Sequence, residues 1–256
     1  MSASDEIEVF SDIGILTTDE AKHEVTSGTT VVLLPIGSIE PHGPHLPLGT
    51  DCMISETTCD RAVMRLEEDG IRTFVAPTIP YGVTDFAAGF SGAISIPPAA
   101  LTAYLRAVVE AMLAQGFSHV CVVNNHLEPA HDQAARAAIE GIAKASYACP
   151  LERRFARTLS DEFKKGECHA GRYETSLVLA AEQETRDFSK LPHVAVSLSD
   201  GIKAGKKTFA EMGMTHAYSG TPSEASRDEG DELYELLVDM VVTVVREGLT
   251  RGLGPS

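Results

Sequence analysis

The residues best suited to chemistry lie in one stretch, Pro35 to Asp51, which reads P-I-G-S-I-E-P-H-G-P-H-L-P-L-G-T-D. Glu40, His42, His45 and Asp51 stand among four prolines and three glycines, so their side chains leave a stiff loop in fixed directions. Carboxylates and imidazoles are the donors that divalent metals of intermediate hardness select. A second group follows at Asn124-Asn125-His126-Leu127-Glu128, and a third at His169 and Glu174. Glu40 and His42 are one residue apart, so in an extended segment they point the same way, and His126 and Glu128 repeat that spacing. Two imidazoles with three or four carboxylates exceed what one zinc ion needs. A surplus carboxylate able to bridge suits a centre of two metals about 3.5–4 Å apart, which generates hydroxide at neutral pH and polarises a carbonyl.

The elements that must position these groups read as alternating strands and helices. The apolar run Thr30 to Ile36 is a strand that ends in the ligand-rich loop, and a helical pattern from Ile54 to Glu68 follows and stops at Gly70. Thr73 to Pro77 is a second strand. Turn residues fill Pro80 to Phe86, and Phe90 to Ile96 reads as a loop with a short strand. Pro97 and Pro98 open a helix to Gln115, with Leu101, Leu105, Val108, Val109 and Met112 on one face. His119 to Val123 is a third strand that ends directly in the second ligand group. An Ala-rich helix is expected over 130–146, a weak strand over 153–158, a polar segment over 159–166 and a short helix over 174–182. Residues 187–220 show no clear period. A capping-box spacing at Thr221 to Glu224 starts a last helix with Leu233, Leu236, Leu237, Met240, Val241 and Val244 on its buried face. A helix start falls at Thr17 to Ala21, and residues 1–12 are polar and read as loosely held. Strands and helices in alternation, without a repeat or linker, indicate one α/β domain over residues 1–256 with a largely parallel sheet. Ligands bind beyond the carboxyl ends of such strands, where the first two polar groups fall.

Bulk properties narrow the function. The formal charge of −16, with no basic run, argues against nucleic acid and anionic membranes as partners, because phosphate binding needs clustered Lys and Arg. No stretch approaches a membrane span, and the acidic N-terminus has no apolar signal region. The five cysteines are scattered, without a C-x-x-C pair, and Cys121 reads as core. Reduced thiols and no export signal together indicate the cytoplasm. His119, His131, His193 and His216 carry no motif and are read as structural.

The loop from Pro35 resembles the signature of the creatininase family of metal-dependent amidohydrolases. Further resemblances follow in the family's order: P-T-I-P-Y-G from Pro77, F-S-G-A-I-S from Phe90, N-N-H-L-E from Asn124, H-A-G-R-Y-E-T-S from His169 and G-T-P-S-E-A-S from Gly220. The resemblance implies a three-layer α/β/α fold, two divalent ions per chain (zinc or manganese, with iron left open) and a homo-oligomer, commonly a hexamer. It implies Glu40, His42, Asp51, His126 and Glu174 as ligands, with Asp51 bridging. Glu128 would bind or orient the first metal or transfer a proton, and His169 would be the acid/base group at the leaving nitrogen. His45 would support the loop by hydrogen bonding. Tyr81, Asn125 and Leu127, within the matched motifs, are candidate substrate contacts. Arg172 stands where an acid is common in the family; facing the pocket it would pair with a substrate carboxylate or phosphate, and facing outward it would make a surface salt bridge. Creatininase encloses its flat substrate with tryptophans, and this chain has none, so creatinine itself fits poorly. Hydrolysis of a cyclic amide, small linear amide or formamide is the first expectation. A peptidase acting on a modified peptide, or a ring-opening hydrolase of a keto-sugar, keeps the fold and metals. A non-catalytic metal-binding scaffold is the remaining alternative.

Overall fold

The computed structural model describes residues 11–252; of the stretch expected to be loosely held, residues 1–10 lie outside it. Ser11 and Asp12 are held, since the Ser11 carbonyl accepts from the Val75 amide at 2.6 Å and Asp12 bridges to Val75.

After a helix α1 (Thr18–Ser27), the chain runs through β1 (Thr30–Ile36), α2 (Thr50–Glu68) and β2 (Arg72–Val75). It continues with α3 (Pro98–Ala114), β3 (His119–Asn124), α4 (Pro129–Ile139) and β4 (Ala145–Ala148). The strands pair in parallel in the order β2-β1-β3-β4, with Val32 opposite Phe74 on one side and Val120 on the other. All seven residues of β1 are buried, as expected of a central parallel strand covered on both faces. Alternation along β1 decides which layer each side chain meets. Val31 and Leu33 pack against α2 and the C-terminal helices, whereas Val32, Leu34 and Ile36 pack against α3 and α4. These are the two outer layers of the expected α/β/α arrangement.

The second half adds α5 (Arg153–Ala156), α6 (Asp161–Lys165), α7 (Arg172–Ala180), α8 (Leu198–Lys203), α9 (Phe209–Met212) and the long α10 (Arg227–Gly252). On α10, Leu233, Tyr234, Leu237, Val241, Val244 and Val245 recur at helical spacing and are buried. Burial of each such side chain contributes roughly 1.5–3 kcal/mol. Gly230 lets α10 lie against α7 at close range, because a Cβ there would meet the Ser176 carbonyl oxygen at 1.9 Å.

Several expectations need correction. The helix expected over 130–146 ends at Ile139, shortly before Gly141 takes a positive φ of 79°; a turn follows, and the last two residues of the expected helix open β4. Four residues of mixed Ala, Ser and Tyr give a strand no readable period. The weak strand expected over 153–158 is instead the short helix α5 followed by a turn, and the polar segment holds α6, capped by Ser160 and stopped by Gly166 in the left-handed region. Phe90 to Ile96 forms no strand and is a loop tied by amides of Ile94 and Ile96 to carbonyls of Ile39 and Gly82. The Thr221 to Glu224 spacing makes a 3-10 turn; α10 begins later, with the Ser226 hydroxyl accepting from the Glu229 amide at 3.2 Å. The helix expected from Ile54 begins at Thr50, which places Asp51 in its first turn.

At the opposite end of the sheet from the ligand groups, His119 lies buried with Nε2 2.7 Å from Ser146 Oγ and Gly248 of α10 against its ring. Burial, helped by Arg251, holds this imidazole down to about 4 from an ordinary 6.5. The unfolded chain therefore takes up this proton before the folded one does. Its contribution to stability is complete above pH 6.5 and is lost as pH falls towards 4. His119→Gln keeps a partner for Ser146 but cannot titrate. It is expected to shrink the difference in unfolding free energy between pH 7 and pH 5 by about 1–2 kcal/mol, measured by urea titration. An unchanged difference would remove His119 from the acid sensitivity.

Candidate metal centre

Because the sheet is parallel, the segments leaving β1 and β3 emerge at one end and bring their polar groups together. Gly37 permits this approach: a Cβ there would lie 2.7 Å from the backbone nitrogen of Cys52 at the start of α2. Asp51 reaches the cluster from the first turn of α2, where a carboxylate is favoured by the helix dipole. Glu174 enters from the first turn of α7, its Oε2 accepting from the Ala170 amide at 2.6 Å.

Glu40, His42, Asp51, His126, Glu128, His169 and Glu174 are each no more than 6 % exposed, so bulk water does little to solvate their charge. The two oxygens of Asp51 face different imidazoles: Oδ1 is 3.1 Å from His42 Nε2 and Oδ2 is 2.9 Å from His126 Nδ1. Glu40 Oε1 lies 3.3 Å from His126 Nδ1, and Glu174 Oε2 lies 3.5 Å from His42 Nε2. The donor atoms fall into overlapping groups, one of Glu40, His126 and Glu128, and another of His42, Asp51 and Glu174. A third joins Glu40 and His42 to His169.

The outward nitrogen of each imidazole is already taken by backbone. His42 Nδ1 donates to the Glu40 carbonyl at 3.1 Å, and His126 Nε2 donates to the Val83 carbonyl at 2.7 Å. Each ring therefore turns its other nitrogen towards the carboxylates, the arrangement that fixes a metal-binding histidine. Asn124 pins the turn that carries His126, donating to the His126 carbonyl at 2.7 Å and accepting from its amide at 3.0 Å.

The electrostatics agree. Burial opposes charge on His42, but Asp51, Glu174 and Glu40 outweigh it and push the imidazole up to about 10. Burial likewise opposes charge on His126, and Glu40 and Asp51 raise it well above its ordinary value. Burial works against the Asp51 carboxylate, yet His42 and His126 hold it below the usual range. Burial pushes Glu128 up to about 7 and Glu174 up to about 8, in each case against the pull of a neighbouring imidazole. Protonated imidazoles are thus the cations that balance these acids when no metal does. Divalent ions fit the same place: the donors are carboxylate oxygens and imidazole nitrogens, and the buried Asp51 Oδ2 has the ion pair with His126 Nδ1 but no well-formed hydrogen bond.

His169 packs between His42 and Phe209, with ring centroids 4.6 and 4.4 Å away. Its Nε2 donates to the Pro41 carbonyl at 3.0 Å, which leaves Nδ1 facing Glu40 Oε1 at 3.8 Å. Burial and the neighbouring His42 hold it down to about 4. His45 supports the loop as expected, through Thr175 Oγ1 at 2.9 Å.

The substrate-facing expectations divide. Leu127 lines the cleft beside the cluster, with Phe86, Leu198, Ile202 and Phe209 as further apolar wall. Asn125 does not reach it, because its amide nitrogen is spent on Ser55 Oγ at 3.2 Å. Tyr81 lies on another exposed surface, in an apolar groove with Ile94 and Tyr104. Arg172 makes the outward salt bridge, with Nε 2.5 Å from Glu229 Oε2, and takes no part in the cleft. Leu198, Ile202 and Phe209 went unread because α8 and α9 are too short to show a period. Cys168 also lines the cleft, with its thiol raised by burial.

The family model for creatininase, described as creatinine amidohydrolase, matches residues 15–245. The chain is 28% identical over 225 residues to the mycofactocin precursor peptide peptidase of Mycolicibacterium smegmatis, covering 84% of each. It is 23% identical to the creatinine amidohydrolase of Pseudomonas putida, covering 92% of this chain and 96% of that one. A tryptophan-to-phenylalanine variant of creatininase superposes with a TM-score of 0.72 at 20% identity, over 94% of this chain and 99% of the other. A structure titled creatininase Mn gives 0.68 at 21% identity, over 94% and 99%. At these identities the structures show the fold.

Metal titration is the direct check on the cluster. At a free concentration of 1,000 times Kd, Mn²⁺ or Zn²⁺ is expected to raise the unfolding free energy by about 4 kcal/mol for each site filled. Binding at pH 7 should release protons from His42 and His126, seen as a buffer-dependent enthalpy in calorimetry, and affinity should rise with pH. Asp51→Asn is expected to abolish the stabilisation. Stabilisation without proton release would show that these imidazoles are not the groups displaced.

Proposed function

This chain belongs to the creatininase family, and on that premise we propose that it is a hydrolase that cleaves a carbon–nitrogen amide bond at a centre for two divalent ions. The observation that carries this reading is the split orientation of Asp51, one oxygen towards His42 and the other towards His126. Glu40, His126 and Glu128 would hold one ion, His42 and Glu174 the other, and Asp51 would be shared. Zinc and manganese both suit these donors. Bound there, the ions would supply Lewis-acid polarisation of a carbonyl and acidify a water molecule.

The remaining work falls to the chain itself. Phe86, Leu127, Leu198, Ile202 and Phe209 form an apolar wall that excludes water and strengthens electrostatic interactions inside the cleft. His169, with Nε2–H committed to the Pro41 carbonyl, keeps Nδ1 free to take a proton and pass it to the departing nitrogen. Glu128, with backbone amides of Asp85 and Phe86 on its two oxygens at 3.1 Å each, is held facing Glu40 and His126.

The substrate is a cyclic amide, a small linear amide or a formamide in the first reading. A peptide bond is the second, favoured by the higher identity to a peptide peptidase than to a creatinine amidohydrolase. Metal-loaded protein assayed on short peptides, lactams, linear amides and formamides, with amine release as the readout, is expected to turn over one of these classes. His169→Gln should lower kcat about 10²–10⁴-fold while both metal equivalents stay bound. Loss of an equivalent would instead place His169 among the ligands, and two retained metals with no turnover on any class would leave a metal-binding scaffold.

A further inference from the structure

One four-residue stretch, Val83 to Phe86, touches three of the candidate ligands from behind. The Val83 carbonyl accepts from His126 Nε2 at 2.7 Å. The Thr84 hydroxyl donates to Glu40 Oε2, and the amides of Asp85 and Phe86 donate to the two oxygens of Glu128 at 3.1 Å each. Those three residues are one of the donor groups. The group of His42, Asp51 and Glu174 is held from elsewhere: His42 by the Glu40 carbonyl, Glu174 by the Ala170 amide, and Asp51 by its place at the start of α2.

The stretch is itself fastened at both ends. The Val83 amide donates to Nδ1 of the fully buried His131 at 3.3 Å, and the His131 ring meets the His126 ring edge-on at 4.7 Å. Gly82 allows this closeness, since a Cβ there would sit 2.2 Å from His131 Nδ1. The Thr84 amide donates to Ser95 Oγ at 3.0 Å, and that hydroxyl donates to Asp85 Oδ1 at 2.7 Å.

We propose that Val83–Phe86 is a strap that sets one metal position separately from the other, with Thr84 and His131 as its positioning residues. The inference rests on the two-ion reading above. Outer partners of this kind typically change metal affinity by about 10–100-fold when removed. The strap reaches Glu40, His126 and Glu128 alone, so its loss should loosen one ion and spare the other.

The test is chelator-competition titration of Mn²⁺ on the substrate-free protein, resolving both equivalents, with calorimetric melting of the metal-free protein alongside. Thr84→Val, which removes the hydroxyl at nearly constant volume, is expected to weaken one equivalent about 10–100-fold and leave the other unchanged. Thr84→Ser should restore it. His131→Leu should act in the same direction, and His131→Asn, whose amide oxygen can stand where Nδ1 accepts, should recover most of the loss. If Thr84→Val does not fold, Ser95→Ala, at an exposed position, should still weaken the same equivalent several-fold. Equal loosening of both equivalents with a lowered melting temperature would reduce the strap to a stability element and overturn the proposal, as would no change in either. A wild-type protein that binds one equivalent would sink the two-ion reading and, with it, the separate setting of two positions, whereas two equivalents both unmoved by Thr84→Val would sink the strap alone.

Discussion

Burying acids next to one another is the constraint on which this structure depends. Glu40, Asp51, Glu128 and Glu174 converge where water cannot solvate them, and like charges so placed tolerate ionisation only with cations between them. His42 and His126 answer that demand with protons, and the same donor atoms suit divalent ions. The surrounding architecture keeps these groups from relaxing apart. Parallel strands deliver β1 and β3 to one edge, prolines stiffen the loop from Pro35, and two helix starts present Asp51 and Glu174.

Rigidity around the cluster comes from backbone as much as from side chains. The Glu40 and Val83 carbonyls fix the two imidazoles, and amides of Ala170, Asp85 and Phe86 fix two of the carboxylates. A carbonyl or amide held in a turn moves less than a long side chain, so the donors are pre-set before anything binds. Ala170 takes a positive φ of 47°, a conformation that a non-glycine residue adopts only when its surroundings impose it. Its amide is the one that holds Glu174, so this unusual backbone sits at the point where orientation matters.

Much of this was legible in the sequence. The apolar runs of β1 and β3 and the His/Glu pairs that follow them are local signals, and parallel pairing turns that local order into convergence. The 3.6-residue period of α10 was equally plain, though its start was not: the Thr221 to Glu224 spacing mimics a cap, and the helix waits until Arg227. What escaped was set by tertiary contact. β4 is four residues long and becomes a strand by pairing with β3. Tyr81 sits in a motif next to Gly82, yet Gly82 backs onto His131 while Tyr81 faces outward. Arg172 adjoins the site in sequence but is captured by Glu229, 57 residues away. No pattern announces that Thr84 touches Glu40 or that Phe209 covers His169, because both contacts join segments far apart in the chain.

The wall of the cleft has a different standing from its floor. Leu198, Ile202 and Phe209 belong to α8 and α9, short helices outside the sheet that supply none of the candidate ligands. The floor is woven into strand ends and cannot vary without disturbing the core. The wall is an appended surface whose residues answer to what enters. The two can therefore vary separately: substitutions at Leu198, Ile202 and Phe209 would reshape what the cleft admits and leave the donor atoms of the floor in place.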